Sequence, residues 1–262
     1  MAYGIVCLAA FGTAILTLFS GFGLGSLLLP VFALFFPLEN AVAATAIVHL
    51  CNNLFKVGLL GRHARGDIVL RFGLPAALAA LLGALLLARL AHTAPLLSYA
   101  LGTRQCHVTP LSLVLGGLIV LFAVLELLPG MERWSVDRRW IPLGGALSGF
   151  CGGLSGHQGA LRAAFLVRSG LGRDAFLGTS VVCAVLVDVS RLAVYGWAAY
   201  RQPEHSAGDA RAPGLIVAAT LAAFLGSWLG SRWVRKVTLH ALQRCVGVGL
   251  WLLGIAIAAG LV

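Results

Sequence analysis

The chain has 262 residues, of which 60% are hydrophobic and 11% are charged, with a net charge of +10 and a mean hydropathy of +0.95. A soluble globule of this size needs more polar surface than this composition supplies, so the sequence predicts an integral membrane protein. The charge does not indicate a nucleic-acid partner, because the 17 Arg and 2 Lys lie mostly in short connections between apolar segments, as is typical beside anionic lipid.

The chain consists mostly of apolar runs long enough for a helix to cross a hydrocarbon core about 30 Å thick. The short segments of alternating polarity that build an outer-membrane barrel are absent, so we predict an all-α polytopic membrane protein. Four of the ten apolar segments are short or broken. In chain order the ten segments cover residues 3–20, 26–37, 40–60, 69–91, 108–128, 140–152, 159–168, 175–199, 213–232 and 238–261.

A polar stretch divides these segments into two groups of five, which we interpret as repeats. The halves align at an offset of 134 residues, which places Thr45 on Thr179 and Gly25 on Gly159. In each half a glycine-rich break precedes a short apolar arm, a charged turn and a long helix that opens with that threonine. We therefore predict a first transmembrane repeat over 1–128, a cytoplasmic linker over 129–139 and a second repeat over 140–262.

The distribution of Arg and Lys predicts the orientation of these repeats. If each broken segment crosses the membrane once, the loop cations divide eight against seven and the repeats are parallel. If each is a hairpin whose arms begin and end on one side, eleven cations face one side and four the other, as expected of a cytoplasmic face. The hairpins then leave three spans per half, which makes the repeats inverted and puts both termini on the non-cytoplasmic side. Re-entrant and fully spanning arms are both compatible with this arrangement.

The two glycine-rich breaks are candidate anion sites. A break at membrane depth frees backbone N–H groups, and the positive end of the following helix favours negative charge. The arms begin near Gly25 and Ser26 in the first half and near Gly159 in the second. The alternative is that these glycines only allow close helix packing.

The helix after the first break carries polar residues at three- and four-residue spacing, so that they share a face. They are Thr45, His49, Asn52 or Asn53, and Lys56. Ionisable residues inside a membrane are costly and indicate function, which favours His49 as a ligand-facing or proton-carrying group. A packed, hydrogen-bonded histidine and a Lys56 that reaches to the interface are the alternatives.

The second half offers equivalent candidates. Asp188 and Arg191 are spaced to neutralise one another, as a structural ion pair or as a pair that an incoming anion opens, with Arg191 as its bidentate partner. Thr179 opens this helix. His157, Gln158 and Arg162 would add donors beside the second break, with interfacial placement as the alternative for Arg162.

Enzymatic signatures are missing from the sequence. It contains no HExxH, GxSxG or P-loop motif and no close carboxylate pair, so we predict that the protein is not an enzyme and uses no cofactor. Six cysteines without a CxxC pair predict small core residues rather than disulfides or metal ligands.

Two stretches resemble the TauE/SafE sulfite-exporter family, whose members include anion transporters akin to 4-toluene sulfonate uptake permeases. They are GFGLGSLLLP followed by AVAATAIVHL, and GALSGFCGGLSG followed by GLGRDAFLGTS. The resemblance spans both halves and implies sulfite, sulfate-like anions or organosulfonates such as sulfoacetate and taurine as substrates. The sequence departs from the family's consecutive glycines at 23–25 and at 157–159, which we interpret as a more polar pocket.

These observations together predict an inner-membrane secondary transporter with two inverted repeats and a midplane site between two hairpins. The partners would be a small anion, the lipid bilayer and a coupling proton or sodium ion, with homo-oligomerisation left open. An anion-selective channel, or a transporter of another small oxyanion or carboxylate, is the alternative.

Overall fold

A computed structural model describes residues 2–20, 24–127, 137–167, 169–201, 211–233 and 240–261. These residues form ten helices in two groups of five. In chain order they are α1 (Ala2–Ser20), α2 (Leu24–Ala33), α3 (Leu38–Leu60), α4 (Gly66–Leu90), α5 (Pro110–Leu127), α6 (Ile141–Ser155), α7 (Gly159–Leu166), α8 (Arg173–Arg201), α9 (Ala212–Trp233) and α10 (His240–Ala258).

The helices confirm the prediction of an α-helical membrane protein. Four of them, with the turn after α3 counted as part of it, are long and apolar enough to cross a bilayer, over Leu38–His63, Gly66–Leu90, Arg173–Arg201 and Ala212–Ser231. α2 and α7 are much shorter. The eight residues of α7 rise about 12 Å, which is less than half of a hydrocarbon core.

One element was not predicted, a β-hairpin between α4 and α5. Its strands are β1 (Leu97–Leu101) and β2 (Arg104–Val108), which pair antiparallel around a turn where Gly102 has φ +63°. The hairpin is mostly exposed, and its Tyr99 hydroxyl donates to the Ala259 carbonyl at 2.7 Å after the end of α10. It was missed because its residues lack the hydrophobic alternation that marks a half-buried strand.

The helices of one half pack against those of the other. α1 runs parallel to α9, with Phe11 against Gly226, and α4 runs parallel to α6. α5 and α10 are antiparallel, with Gly116 against Gly254. α3 and α8 are also antiparallel, because the contacts move from Asp188 back to Thr179 as the chain proceeds from His49 in α3 to Arg65 in the turn after it.

Close packing of α4 on α6 depends on three glycines of α6. Gly145, Gly149 and Gly153 recur every four residues and therefore lie on one face of the helix. Each faces a backbone carbonyl of α4 and leaves no room for a Cβ atom. The carbonyls belong to Phe72, Ala76 and Ala80. Small residues allow helix backbones to approach closely in membranes, so this part of the glycine-rich sequence serves packing.

The second glycine-rich break forms a true hairpin. α7 folds back along α6, with Phe165 beside Gly144 and the Gln158 carbonyl accepting from Ser148 Oγ at 2.8 Å. In the first half α1 contacts α2, and the residues that join them, 21–23, lie outside the described part. Most of the predicted linker, through residue 136, also lies outside it. The larger apolar core is built mainly by residues of α1, α2, α3, α5 and α9, and polar side chains gather where α3 and α8 meet the second hairpin.

Candidate functional site

A single buried carboxylate joins both halves of the chain. Asp188 of α8 has no exposed surface and accepts hydrogen bonds from α3 and from the second hairpin. His49 Nδ1 lies 2.7 Å from its Oδ2, Asn53 Nδ2 donates to Oδ2 at 3.0 Å, and Gln158 Nε2 donates to Oδ1 at 3.3 Å. Since an ionised carboxylate only accepts, the His49 proton must be on Nδ1.

The strongest partner of this carboxylate is Arg191. Its Nε and Nη2 donate to Asp188 Oδ1 at 3.1 and 2.7 Å, and its Nη1 donates to the Gly152 carbonyl at 3.3 Å. Both side chains are fully buried, so the predicted ion pair is present. These bonds use three of the five N–H groups of the guanidinium, and Asp188 neutralises its charge.

The reversal between α6 and α7 brings the hairpin tip against Arg191. Gly156 ends α6 with φ +82°, a conformation that side-chain-bearing residues adopt at a cost. His157 follows, with Nδ1 at 3.2 Å from the Ser155 carbonyl and its ring stacked on Phe122. Its buried Nε2 has no hydrogen-bond partner among the described residues.

Gly159 is the first residue of α7, so the helix N-terminus opens beside Gln158 as predicted. Arg162 lies one turn further and is buried, with Nε donating to Ser180 Oγ at 2.7 Å. The interfacial alternative for Arg162 is therefore wrong. The serine that holds it was missed, although it adjoins the predicted Thr179.

Lys56 is also buried, with 1% of its surface exposed, so the interfacial alternative is wrong here as well. Its Nζ lies 3.2 Å from Asn52 Oδ1 in the amide orientation that satisfies the surrounding groups. In that orientation Asn52 Nδ2 donates to Ser227 Oγ at 2.7 Å and to the Ala223 carbonyl at 3.2 Å. Ala223 and Ser227 of α9 therefore orient the Asn52 amide, whose oxygen faces Lys56.

The remaining predicted residues lie at the edges of this region. Thr45 is buried, and its Oγ1 has no hydrogen-bond partner among the described residues. Thr179 Oγ1 accepts from the Arg65 backbone N–H at 3.0 Å, which secures the turn after α3 rather than joining the groups around Asp188. Gly25 and Ser26 lie in the first turn of α2.

Five buried ionisable side chains form what we call the ionic cluster: His49, Lys56, Arg162, Asp188 and Arg191. His49 is within Coulombic range of Asp188, Arg191 and Arg162, and Lys56 is within range of Arg162. All are at most 5% exposed, so the cluster is closed to solvent in this conformation. Buried ionisable residues are costly in a membrane protein, which makes this cluster the candidate functional site.

Several residues that build this region were not predicted from their sequence pattern. Tyr195 donates its hydroxyl to the Gly153 carbonyl, and Ser148 holds the Gln158 carbonyl. Ser227 is a serine in an apolar helix, and such a residue is usually packed without a specific role. Its side chain contacts the Asn52 amide, which lies 175 residues away in the sequence, and this contact is not visible in the sequence pattern.

Replacing Gly156 with alanine is expected to lower the free energy of unfolding by about 1–2 kcal/mol, the usual cost of a left-handed non-glycine residue. A Cβ at this position would also lie 2.9 Å from Arg191 Nη1 and push the guanidinium from the Gly152 carbonyl. Thermal unfolding of purified protein in detergent measures the change. Gly58→Ala is the matched control, because a Cβ at Gly58 meets nothing within 4 Å. Equal melting temperatures for the two variants would contradict the expectation.

The fold and this site define a multi-pass α-helical membrane protein with a buried cluster of cations. The profile of the sulfite exporter TauE/SafE family matches residues 6–257, which is nearly the whole chain. The protein therefore belongs to the TauE/SafE family and is a membrane transport protein, not an enzyme. Comparison with curated proteins and with solved structures gives no significant match.

Proposed function

We propose that the protein is a secondary transporter of the cell inner membrane that carries a small sulfur-containing anion. Sulfite and organosulfonates such as sulfoacetate or taurine-type compounds are the proposed substrates. Family membership supports transport of an anion. The site would lie between the two hairpins and use the ionic cluster together with the start of α7.

The sign of the buried charge carries this proposal. The buried ionisable side chains of the described residues comprise three cations, two histidines and one carboxylate. The cations are Lys56, Arg162 and Arg191, and the carboxylate is Asp188. Even with both histidines and Lys56 neutral, the two buried arginines outnumber the one carboxylate in a region of low dielectric constant. Such a region attracts an anion far more strongly than the same charges would in water.

Closure of the ionic cluster favours alternating access over a channel. A channel needs a continuous polar path, whereas here the cationic side chains are all at most 4% exposed. An occluded site of this kind fits a carrier that opens to one side at a time. Uptake into vesicles should therefore saturate with substrate concentration and fall when the coupling proton or sodium gradient is removed. A linear, gradient-independent flux would instead favour the channel.

Helix directions support the inverted-repeat part of the proposal. Inverted repeats require the equivalent helices α3 and α8 to run in opposite directions, and likewise α5 and α10. Parallel repeats would require each pair to run in the same direction. The observed antiparallel contacts agree with inversion. The two parallel pairs also agree, because α1 corresponds to α6 and α9 to α4, so the repeat relates the pair α1 and α9 to the pair α6 and α4.

Both termini are expected on the non-cytoplasmic side. This follows from the eleven-to-four division of loop cations and from an odd number of crossings after each hairpin. Alkaline phosphatase fused after Val262 should be active, and green fluorescent protein at the same position should be dark. A fluorescent, phosphatase-negative terminus would contradict the proposed orientation.

A ligand screen tests the substrate class directly. A ligand that binds only the folded protein raises its stability, by about 2.7 kcal/mol at a hundredfold excess over Kd. Purified protein should therefore melt at higher temperature with sulfite, thiosulfate, sulfoacetate or taurine than with acetate at equal ionic strength. No shift with any sulfur anion, or a larger shift with acetate, would contradict the proposal.

A further inference from the structure

Cations in the two halves of the ionic cluster differ in what neutralises them. Arg191 has a carboxylate one turn away, at Asp188. Lys56 has none, because the ion pairs formed among the described residues do not include it. Both side chains are buried to the same degree, so burial does not explain the difference.

The repeat explains how this asymmetry arises. With the halves shifted by one residue from the offset that aligns the two threonines, Arg191 corresponds to Lys56 and Asp188 corresponds to Asn53. An ion pair in the second half is thus replaced by a lysine and an amide in the first. The substitution keeps the cation and removes its counter-charge.

Among the described residues, Lys56 lacks some hydrogen-bond acceptors as well as a counter-charge. An ammonium group has three N–H donors, and the described residues supply one acceptor, Asn52 Oδ1. The amide of Asn52 is fixed by Ser227 and the Ala223 carbonyl, so its oxygen is directed at Nζ. A buried ammonium with unfilled donors is costly unless another acceptor arrives.

We propose that Lys56 is the primary contact of the transported anion, and that Arg191 is a structural cation already occupied by Asp188. This inference rests on the proposed transport function and specifies which charge serves it. An oxyanion at Lys56 would supply both the missing counter-charge and the missing acceptors. The nearby Arg162, within Coulombic range of Lys56, would raise the positive potential at the same place.

Calorimetric titration of sulfite into purified full-length protein in detergent tests the assignment. Lys56→Gln should weaken binding at least thirtyfold, which corresponds to about 2 kcal/mol. Lys56→Arg should recover most of the affinity because it restores the charge. Arg71→Gln is the matched control, since it removes an exposed cation of α4. The double change Asp188→Asn/Arg191→Gln should weaken binding at least tenfold less than Lys56→Gln does.

A second variant tests the same point without removing the lysine. Asn52→Asp has nearly the same shape and would place a carboxylate 3.2 Å from Nζ. The variant should remain folded, although the Ala223 carbonyl loses its amide donor, and it should lose sulfite binding because the new carboxylate neutralises Lys56. A folded Asn52→Asp variant that binds sulfite as the wild type does would overturn the assignment.

The outcomes separate this inference from the function on which it rests. If Lys56→Gln weakens sulfite binding by less than thirtyfold, the proposed role of Lys56 is overturned and the transporter proposal still stands. Wild-type protein that binds neither sulfite nor sulfoacetate overturns the proposed substrate class, and the role of Lys56 with it.

Discussion

Replacing Asp188 with alanine is expected to destabilise the protein by about 3–5 kcal/mol, the usual result of removing one partner of a buried ion pair. Arg191 would keep its charge without a counter-charge at a position with no exposed surface. His49, Asn53 and Gln158 would lose their shared acceptor at the same time. Thermal unfolding in detergent, followed by tryptophan fluorescence, measures the loss.

Two further variants test whether the loss of stability depends on the burial of Asp188 and on its pairing with Arg191. Asp67→Ala removes an exposed carboxylate that faces Arg65 at 3.2 Å and Arg138 at 3.6 Å, and it should have little effect because exposed ion pairs contribute little. Asp188→Asn/Arg191→Gln removes both buried charges together and should be more stable than Asp188→Ala. A double variant no more stable than Asp188→Ala would contradict the view that the unpaired arginine causes the damage.

The helices were predictable because the length of an apolar run is a local property of the sequence. A hydrocarbon core imposes a minimum length on each span, and the segment boundaries fall within a few residues of the helix ends. Helix pairing is not local. The parallel contact of α1 with α9 depends on small residues in two segments more than 200 residues apart, and periodicity within either segment does not specify its partner.

The candidate site was predicted in its composition but not in its connections. Spacing along one helix placed His49 and Asn53 on a shared face and paired Asp188 with Arg191. It could not show that all four, with Gln158, meet at one carboxylate, because those contacts cross between the halves. Sequence alone therefore left open whether Arg191 is a structural ion-pair partner or a substrate ligand.

Glycine-rich sequence proved to serve two purposes that composition cannot separate. Gly156 is needed for a left-handed turn, whereas Gly149 is needed for space. The four-residue spacing of Gly145, Gly149 and Gly153 was visible in the sequence and is typical of a helix-packing face. The turn glycine carries no such periodic signal, and only the backbone shows which glycine has it.

Replacing Gly149 with leucine is expected to destabilise the protein by about 3 kcal/mol, the upper end of the usual cost of inserting bulk into a packed interior. The upper end applies because a Cβ at this position meets the backbone of Ala76, which cannot rotate away as a side chain can. Leucine favours helix more than glycine does, so helix propensity alone predicts the opposite sign. Gly117→Leu is the matched control, since Gly117 lies exposed in α5 with nothing within 4 Å of its Cβ position.

The same change should weaken anion binding through the position of α6. The carbonyls of Gly152 and Gly153 at the end of this helix accept from Arg191 and Tyr195, and the helix leads directly into the hairpin tip. If α6 moves away from α4, Gln158 moves with it relative to Asp188. Gly149→Leu should therefore lower both the melting temperature in detergent and the sulfite affinity of the folded fraction, measured by calorimetry. Gly117→Leu should change neither. Wild-type stability in Gly149→Leu would contradict this expectation, because it would show that α4 and α6 can move apart without cost.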